Sequence, residues 1–320
     1  RPLSPLGFVE RAAEVFPHRT AVVYGPLRRD WAETYERCRR LAAALRATGI
    51  ERGDTVAVMA PNLPAMLETH FGVPMAGAVL APLDVGLESG TLAAALEHCA
   101  AKALIADATL AGTVGKALAR LDRAISVIDI DDRQASESGR AAAARLGGIG
   151  YEAFLAGGDP ATPWLRPESE WDAIVLDYAA SPAGVIEPTV RHHRGAYLEA
   201  FGNIQAWGMT GHPVYLWTLP MIRQSGWGLV WSVTLLAGTH VCLRRPEAAG
   251  IRRAFAEHGV THLCGDLDIV RVILDAAPDR RRDVSQTVRM MTDAAPPAAA
   301  LRALHDLGIE VAQRKSPIFR

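Results

Sequence analysis

Residues Asp54–Asp84 read "DTVAVMAPNLPAMLETHFGVPMAGAVLAPLD". The stretch opens on a short apolar run, passes through a longer one of helical length, and closes on a second short run. Short apolar runs of this kind suit strands buried on both faces. A helix between two of them makes the strands parallel, because only a crossover returns the chain to the end from which it started. The fold class follows from this unit: α/β, with parallel sheets covered by helices on both sides.

The same alternation extends in both directions. Upstream, "AETYERCRRLAAALRAT" puts Tyr35, Cys38, Leu41, Ala42 and Leu45 on one helical face, and Gly49 stops it. Downstream, "ALEHCAAKALIADATL" supplies a helix and a strand, and "ISVIDID" a further strand. Residues 132–170 change character, being rich in Ala, Gly and Pro, and read as a surface excursion around one short helix. From "DAIVLDY" the series resumes and runs through "HRGAYLEAFGNIQAWG", "VYLWTLP", "GWGLVWSVTLLAG", "THVCLRR", "VTHLCG" and "TVRMMTDAA" to "IEVAQ". Two doubly wound αβ lobes are expected, residues 1–170 and 171–320.

Composition narrows the function classes. The chain has 320 residues, of which 49% are hydrophobic and 22% charged, with a net charge of -1. That is ordinary for a globular protein and gives no electrostatic case for nucleic acid or an anionic membrane. Cys38, Cys99, Cys242 and Cys264 are far apart, with no CxxC and no zinc-type spacing, and read as small buried hydrophobes. No metal site is expected. No G-x-S-x-G nucleophile elbow occurs, and no GxGxxG follows a strand. The opening "RPLSPLGFVE" lacks the apolar core of a signal peptide, and "WGLVWSVTLLAG" is too short and too polar to span a bilayer. The expected compartment is the cytoplasm.

Several longer stretches resemble one family. "ERAAEVFPHRTAVVYG", "WAETYERCRRLAAALRATGIERGDTVAVMAPN" and "FGVPMAGAVLAPL" are similar to the opening of the adenylate-forming acyl-CoA synthetases. "HHRGAYLEAFGNIQAWGM", "PVYLWTLPM", "GTHVCLRR" and "EHGVTHLCG" resemble that family's middle third, so the likeness spans roughly residues 3 to 312. It implies the fold of the family's large domain.

The resemblance also exposes departures. After a short strand the family carries a loop of the form TSGTTGRPKG, whose backbone N–H groups, hydroxyls and lysine surround the ATP phosphates. In register, residues 179–188 here read "AASPAGVIEP". One hydroxyl remains, at Ser181; Pro182 removes an N–H donor; Glu187 stands where the lysine would be. A carboxylate facing a triphosphate reverses the sign of the interaction. The histidine of the family's "FHCNGW" segment is replaced by Arg223 in "IRQSGW", and after "IEVAQ" the sequence reads "RKSPIFR" in place of a YGLTE-type segment. The expectation is a chain without the family's phosphate loop, metal ligand, β-barrel part and C-terminal domain. It would bind no cofactor.

Charges gained in neutral segments mark the candidate site. A "CGAP"-like segment is here "CGDLD", adding Asp266 and Asp268, and a "TAGAPP"-like segment is "TDAAPP", adding Asp293. Both close strands, and open α/β sheets hold ligands at the carboxyl ends of strands. Arg223 could orient a substrate carboxylate, with Asp266 or Asp293 moving a proton. Gln224, Ser225, Trp227, Asp268 and His193 are candidate substrate contacts. Structural roles stand beside these: Asp268 as a helix N-cap, Asp266 in a salt bridge with Arg223 or Arg271, and Asp293 in a cap or turn. His192 and His193 suit a helix start, and adjacent histidines point in different directions on a helix, against shared metal ligation. Trp207, Tyr215 and Trp217 read as core or pocket wall, Glu68 and His70 as structural.

Two functions are then expected as alternatives. One is an ATP-independent enzyme working by cyclisation, condensation, elimination or isomerisation on an apolar carboxylate, carbonyl or acyl compound. The other is a non-catalytic scaffold or regulatory protein. In either case a homodimer or a partner protein is expected to cover the exposed face.

Overall fold

A computed structural model of the chain describes residues 1–135, 146, 148–180, 186–222, 224–275 and 287–313. The order begins α1 (Leu6–Val15), β1 (Thr20–Tyr24), β2 (Leu27–Asp30), α2 (Trp31–Ala47), β3 (Thr55–Met59), α3 (Pro64–Met75) and β4 (Val79–Pro82). It continues α4 (Ser89–His98), β5 (Ala103–Asp107), α5 (Ala111–Leu118), β6 (Ser126–Ile130), β7 (Ile149–Gly150), α6 (Tyr151–Ala156), β8 (Ala173–Ala180) and β9 (Ile186–His192). Next come α7 (His193–Trp207), β10 (Val214–Trp217), α8 (Gln224–Leu235), β11 (Thr239–Cys242) and α9 (Ala248–His258). The series ends β12 (His262–Cys264), α10 (Leu267–Asp275), β13 (Val288–Thr292), α11 (Ala298–Asp306) and β14 (Ile309–Gln313).

The described strands form two seven-stranded sheets, one in each of two compact units. The first unit comprises Arg1–Glu10, Ala32–Pro61 and Ala65–Leu198, and its sheet runs β7-β6-β5-β3-β4-β8-β9. All pairs are parallel except β8 with β9. Every residue of β3 is buried, as expected of a strand covered on both faces. In α3, Glu68, Thr69 and His70 are buried along with Met66, Leu67 and Phe71, so this helix is enclosed all round. Gly72 permits that enclosure: a Cβ there would lie 2.7 Å from Leu41 Cδ2 on α2. Buried Glu68 is satisfied by Arg37 Nε, which donates to it at 2.7 Å, and by the Tyr151 hydroxyl, which donates at 2.8 Å.

The second unit comprises Arg11–Trp31, Asn62–Pro64 and Glu199–Arg320, with sheet order β14-β13-β12-β10-β11-β1-β2. Strand β10 has β11, the next strand in the chain, on one side and β12 on the other. Chain connections therefore diverge at β10, and crevices for ligands open at such switch points. The β1–β2 hairpin joins this sheet because β1 pairs with β11, Val22 opposite His240.

The lobe boundary expected at residue 170 is corrected by these pairings. β8 adds to β4 and carries β9 with it into the first sheet, while residues 11–31 belong with the second. Periodicity reveals a strand but not its partner, and both partnerships here join segments distant in sequence. The excursion at 132–170 contains the short helix α6, with residues 136–145 outside the described set.

Candidate functional site

A pocket opens in the second unit at the carboxyl ends of β10, β12 and β13, three neighbouring strands. Leu219 follows β10, Cys264 and Gly265 close β12, and Met291 and Asp293 close β13. Asn203 and Trp207 from α7 and Leu229 from α8 complete its wall. The space among these residues, counted together with open solvent at its mouth, is about 370 Å³.

Backbone and side-chain hydrogen bonds fix this rim. The Gly265 N–H donates to Met291 O at 2.9 Å, locking the end of β12 to β13. The Thr218 hydroxyl donates to Cys264 O, and the Cys264 N–H donates to the Tyr215 hydroxyl at 3.2 Å. Asn62 holds the segment after β10: its Nδ2 donates to Trp217 O and Leu219 O at 3.3 and 3.0 Å, and its Oδ1 accepts from Met221 N at 2.8 Å. The helices above are drawn together by the Ser232 hydroxyl, which donates to Ala200 O at 3.1 Å. Gly228 lies against Asn203, whose Nδ2 would be 2.1 Å from a Cβ at that position.

Trp207 is 6% exposed and packs its ring against Tyr215 and His262, at centroid distances of 6.1 and 5.6 Å. Its indole N–H has no acceptor among the described residues. His262 is buried, and burial, followed by the nearby Arg289 charge, lowers its pKa to about 4. It is a neutral ring near pH 7, packed behind Trp207.

The candidate residues from the sequence fall into different places. Asp293 is exposed in a bend and lines the pocket. The bend agrees with the expected turn role, while the cap role is not seen: α11 is capped at Pro297 without a side-chain bond. Asp266 is corrected from acid–base residue to helix cap, its Oδ1 accepting from Asp268 N at 3.1 Å and Ile269 N at 3.0 Å at the start of α10. Asp268, expected to be that cap or a substrate contact, is exposed in the first turn and pairs with Arg271 at 3.1 Å. Neither lines the pocket.

His193 is also corrected. It is buried in the first unit, its Nδ1 2.9 Å from the Ser4 hydroxyl, and burial lowers its pKa to about 4. His192 Nδ1 accepts from Gly195 N at 2.8 Å, so both histidines serve the start of α7. Arg223 lies outside the described residues, as do the side chains of Gln224, Ser225 and Trp227 at the start of α8. Tyr215 and Trp217 are core, each 1% exposed. Sequence reasoning passed over Asn203; its position four residues before Trp207, on one face of α7, was the available signal.

The loop expected to face phosphate follows β8. β8 and β9 pair antiparallel down to Ala179 opposite Glu187 and Ala180 opposite Ile186, and residues 181–185 lie outside the described set. In sequence, residues 179–188 offer one hydroxyl, no lysine and one carboxylate. Among the described residues no group of three His, Cys, Asp or Glu is placed to hold a metal ion, and no helix is long and apolar enough to cross a membrane.

Comparison with known proteins places these features in context. Residues 9–314 match the family of AMP-binding enzymes. An acetate–CoA ligase of Humulus lupulus is 41% identical over 97% of this chain and 56% of its own length. A peroxisomal acetate/butyrate–CoA ligase of Arabidopsis thaliana is 42% identical, and a peroxisomal benzoate–CoA ligase of the same plant 37%; each matches 97% of this chain, and 56% and 54% of its own length. The chain thus spans a little over half the length of these relatives. The N-terminal domain of FACL13 from Mycobacterium tuberculosis superposes with a TM-score of 0.83 at 19% identity, covering 98% of this chain and 76% of that one. A fatty acyl-CoA synthetase of the same bacterium gives 0.81 at 19%, over 96% and 58%. The ligases overturn the expectation of an ATP-independent enzyme or a non-catalytic scaffold. That expectation weighed one altered loop above the match of nearly the whole chain to named CoA ligases.

Proposed function

Since the chain belongs to the AMP-binding enzyme family, we propose that it forms the acid-binding part of an acyl-CoA ligase, which joins a small carboxylic acid to the thiol of coenzyme A. The observation that carries this reading is the pocket at the carboxyl ends of β10, β12 and β13, walled by Trp207, Leu219, Leu229 and Met291. An acyl chain entering it leaves water at a gain of about 0.8 kcal/mol per methylene. Misfit of one methylene in such a pocket changes selectivity by about 1–3 kcal/mol, so these four side chains set chain length and branching. Asn203 and Asp293 are the polar groups that orient whatever the acyl chain carries.

The altered phosphate loop belongs to the same reading as a difference in degree. A chain with Glu187 in place of lysine holds MgATP more weakly than ligases with the full loop. Supply of ATP, coenzyme A and a panel of acetate, butyrate, 2-methylpropanoate and benzoate to the purified chain tests the proposal. The expected result is an ATP-dependent thioester, detected by mass, with one or more of these acids. Neither thioester nor pyrophosphate exchange with any acid, under conditions where a relative is active, would overturn it.

A further inference from the structure

We infer that the pocket takes a carboxylic acid bearing a protonated amino group, and that Asp293 is the residue that selects it. The inference rests on the ligase reading for the identity of the reacting carboxylate, and on the pocket itself for the amine.

Among the described residues, the pocket's lining contains one charged side chain, Asp293, and no Lys, Arg or His. The other acidic residues gained nearby are engaged elsewhere: Asp266 caps α10, and Asp268 pairs with Arg271. Asp293 has neither task. No described residue pairs with it, and α11 begins at a proline cap without its help. An acidic group at a strand end, without a partner among the described residues and in a pocket wall, has a chemical consequence for any occupant.

A plain alkyl chain beside Asp293 would strip water from the carboxylate and return no hydrogen bond, which counts against a simple fatty acid. An ammonium group returns both charge and hydrogen bonds. The rest of the wall suits that group: the Trp207 indole offers a π surface that attracts cations, and Asn203 Oδ1 is an acceptor. Leu219 and Leu229 keep much of the remaining wall dry, which strengthens the attraction over that of a pair in open water. The substrate's own carboxylate is repelled by Asp293, so the same charge directs the amine inward and the reacting end away. A hydroxyl would restore one hydrogen bond but leave the charge uncompensated. The ligand class is therefore an ω-amino carboxylic acid.

Calorimetric binding to the full chain, with three ligands of equal heavy-atom count, tests this. They are 5-aminopentanoate, hexanoate and 5-hydroxypentanoate. The amino acid is expected to bind at least about fivefold more tightly than either of the others, the range of a single partly solvated ion pair. Asp293→Asn should erase that preference, and Asp293→Lys should turn it into a preference for hexanoate. Circular dichroism melts identify any variant that fails to fold, and two substitutions at one exposed position guard against a single failure. Equal or tighter binding of hexanoate by the unmodified chain overturns the inference, as does an amine preference that survives Asp293→Asn, or no binding of any of the three. Thioester assays on the same preparations separate the two readings. No thioester with any acid, alongside an amine preference that depends on Asp293, would sink the ligase reading alone. Thioester formation from hexanoate at a rate indifferent to residue 293 would sink the inference alone.

Discussion

The side-chain oxygen of Asn62 accepts a hydrogen bond from the backbone N–H of Met221 at 2.8 Å. Its Nδ2 donates to two carbonyls of the same segment, and Asn62 is only 6% exposed. One buried amide thus replaces the backbone partners that a turn after β10 would otherwise lack. Asn62→Ala leaves those groups unpaired and is expected to cost about 1–3 kcal/mol in denaturant unfolding. Asn62→Asp keeps the acceptor but sets a carboxylate against two carbonyls, and should be at least as harmful. Because Leu219 lines the pocket, KM for the acid should rise more than kcat falls.

Two neighbouring aspartates should behave oppositely. Asp266→Ala removes the bonds to the Asp268 and Ile269 N–H groups and should cost about 1 kcal/mol, recovered by Asp266→Ser. Asp268→Ala breaks only an exposed pair with Arg271 and should leave the melting temperature unchanged. Thermal melts of the three variants decide which aspartate caps α10.

Glu187→Lys restores the charge that the family's loop carries. KM for MgATP in acid-dependent pyrophosphate exchange should fall severalfold, more so at low ionic strength. An unchanged KM would mean that this side chain does not reach the phosphates.

Acid should destabilise the protein before its carboxylates titrate. Burial lowers His70, His193 and His262 each to about pH 4, from an ordinary value near 6.5. Between those values the unfolded chain binds protons that the native rings refuse, so stability rises with pH through this window. The contribution is complete above about pH 6.5 and is lost progressively as pH falls toward 4. Melting temperatures measured from pH 7.5 to 4.5 should drop across that range, and His193→Gln should flatten the slope. A profile flat to pH 5 would show that these rings accept protons without cost.

The alternation of short apolar runs with amphipathic helices was legible along most of the chain, and β3, α3 and β4 stand where "DTVAVMAPNLPAMLETHFGVPMAGAVLAPLD" puts them. The hairpin of β1 and β2 and the strand β9 were not read as strands. β9 has Pro188 and the charged Glu187 and Arg191, acceptable because it is the sheet's edge and its free side needs no donors. Charge pointed to Asp293, which lines the pocket, and could not tell the direction in which Asp266 turns. Asp266 and Asp293 both follow parallel strands, but Asp266 sits one residue before α10 and turns its oxygen onto that helix, while Asp293 precedes a longer link to α11.

From its residues alone, this chain was bound to be an α/β protein in which most strands and helices alternate, with acidic groups at two strand ends. Those are local properties, written in the spacing of apolar side chains over a few residues. Tertiary structure decided that β8 and β9 join the first sheet, that β1 and β2 join the second, and that Asn203, Trp207 and Asp293 share one pocket. These outcomes depend on pairing between segments far apart in the chain, which no local pattern encodes.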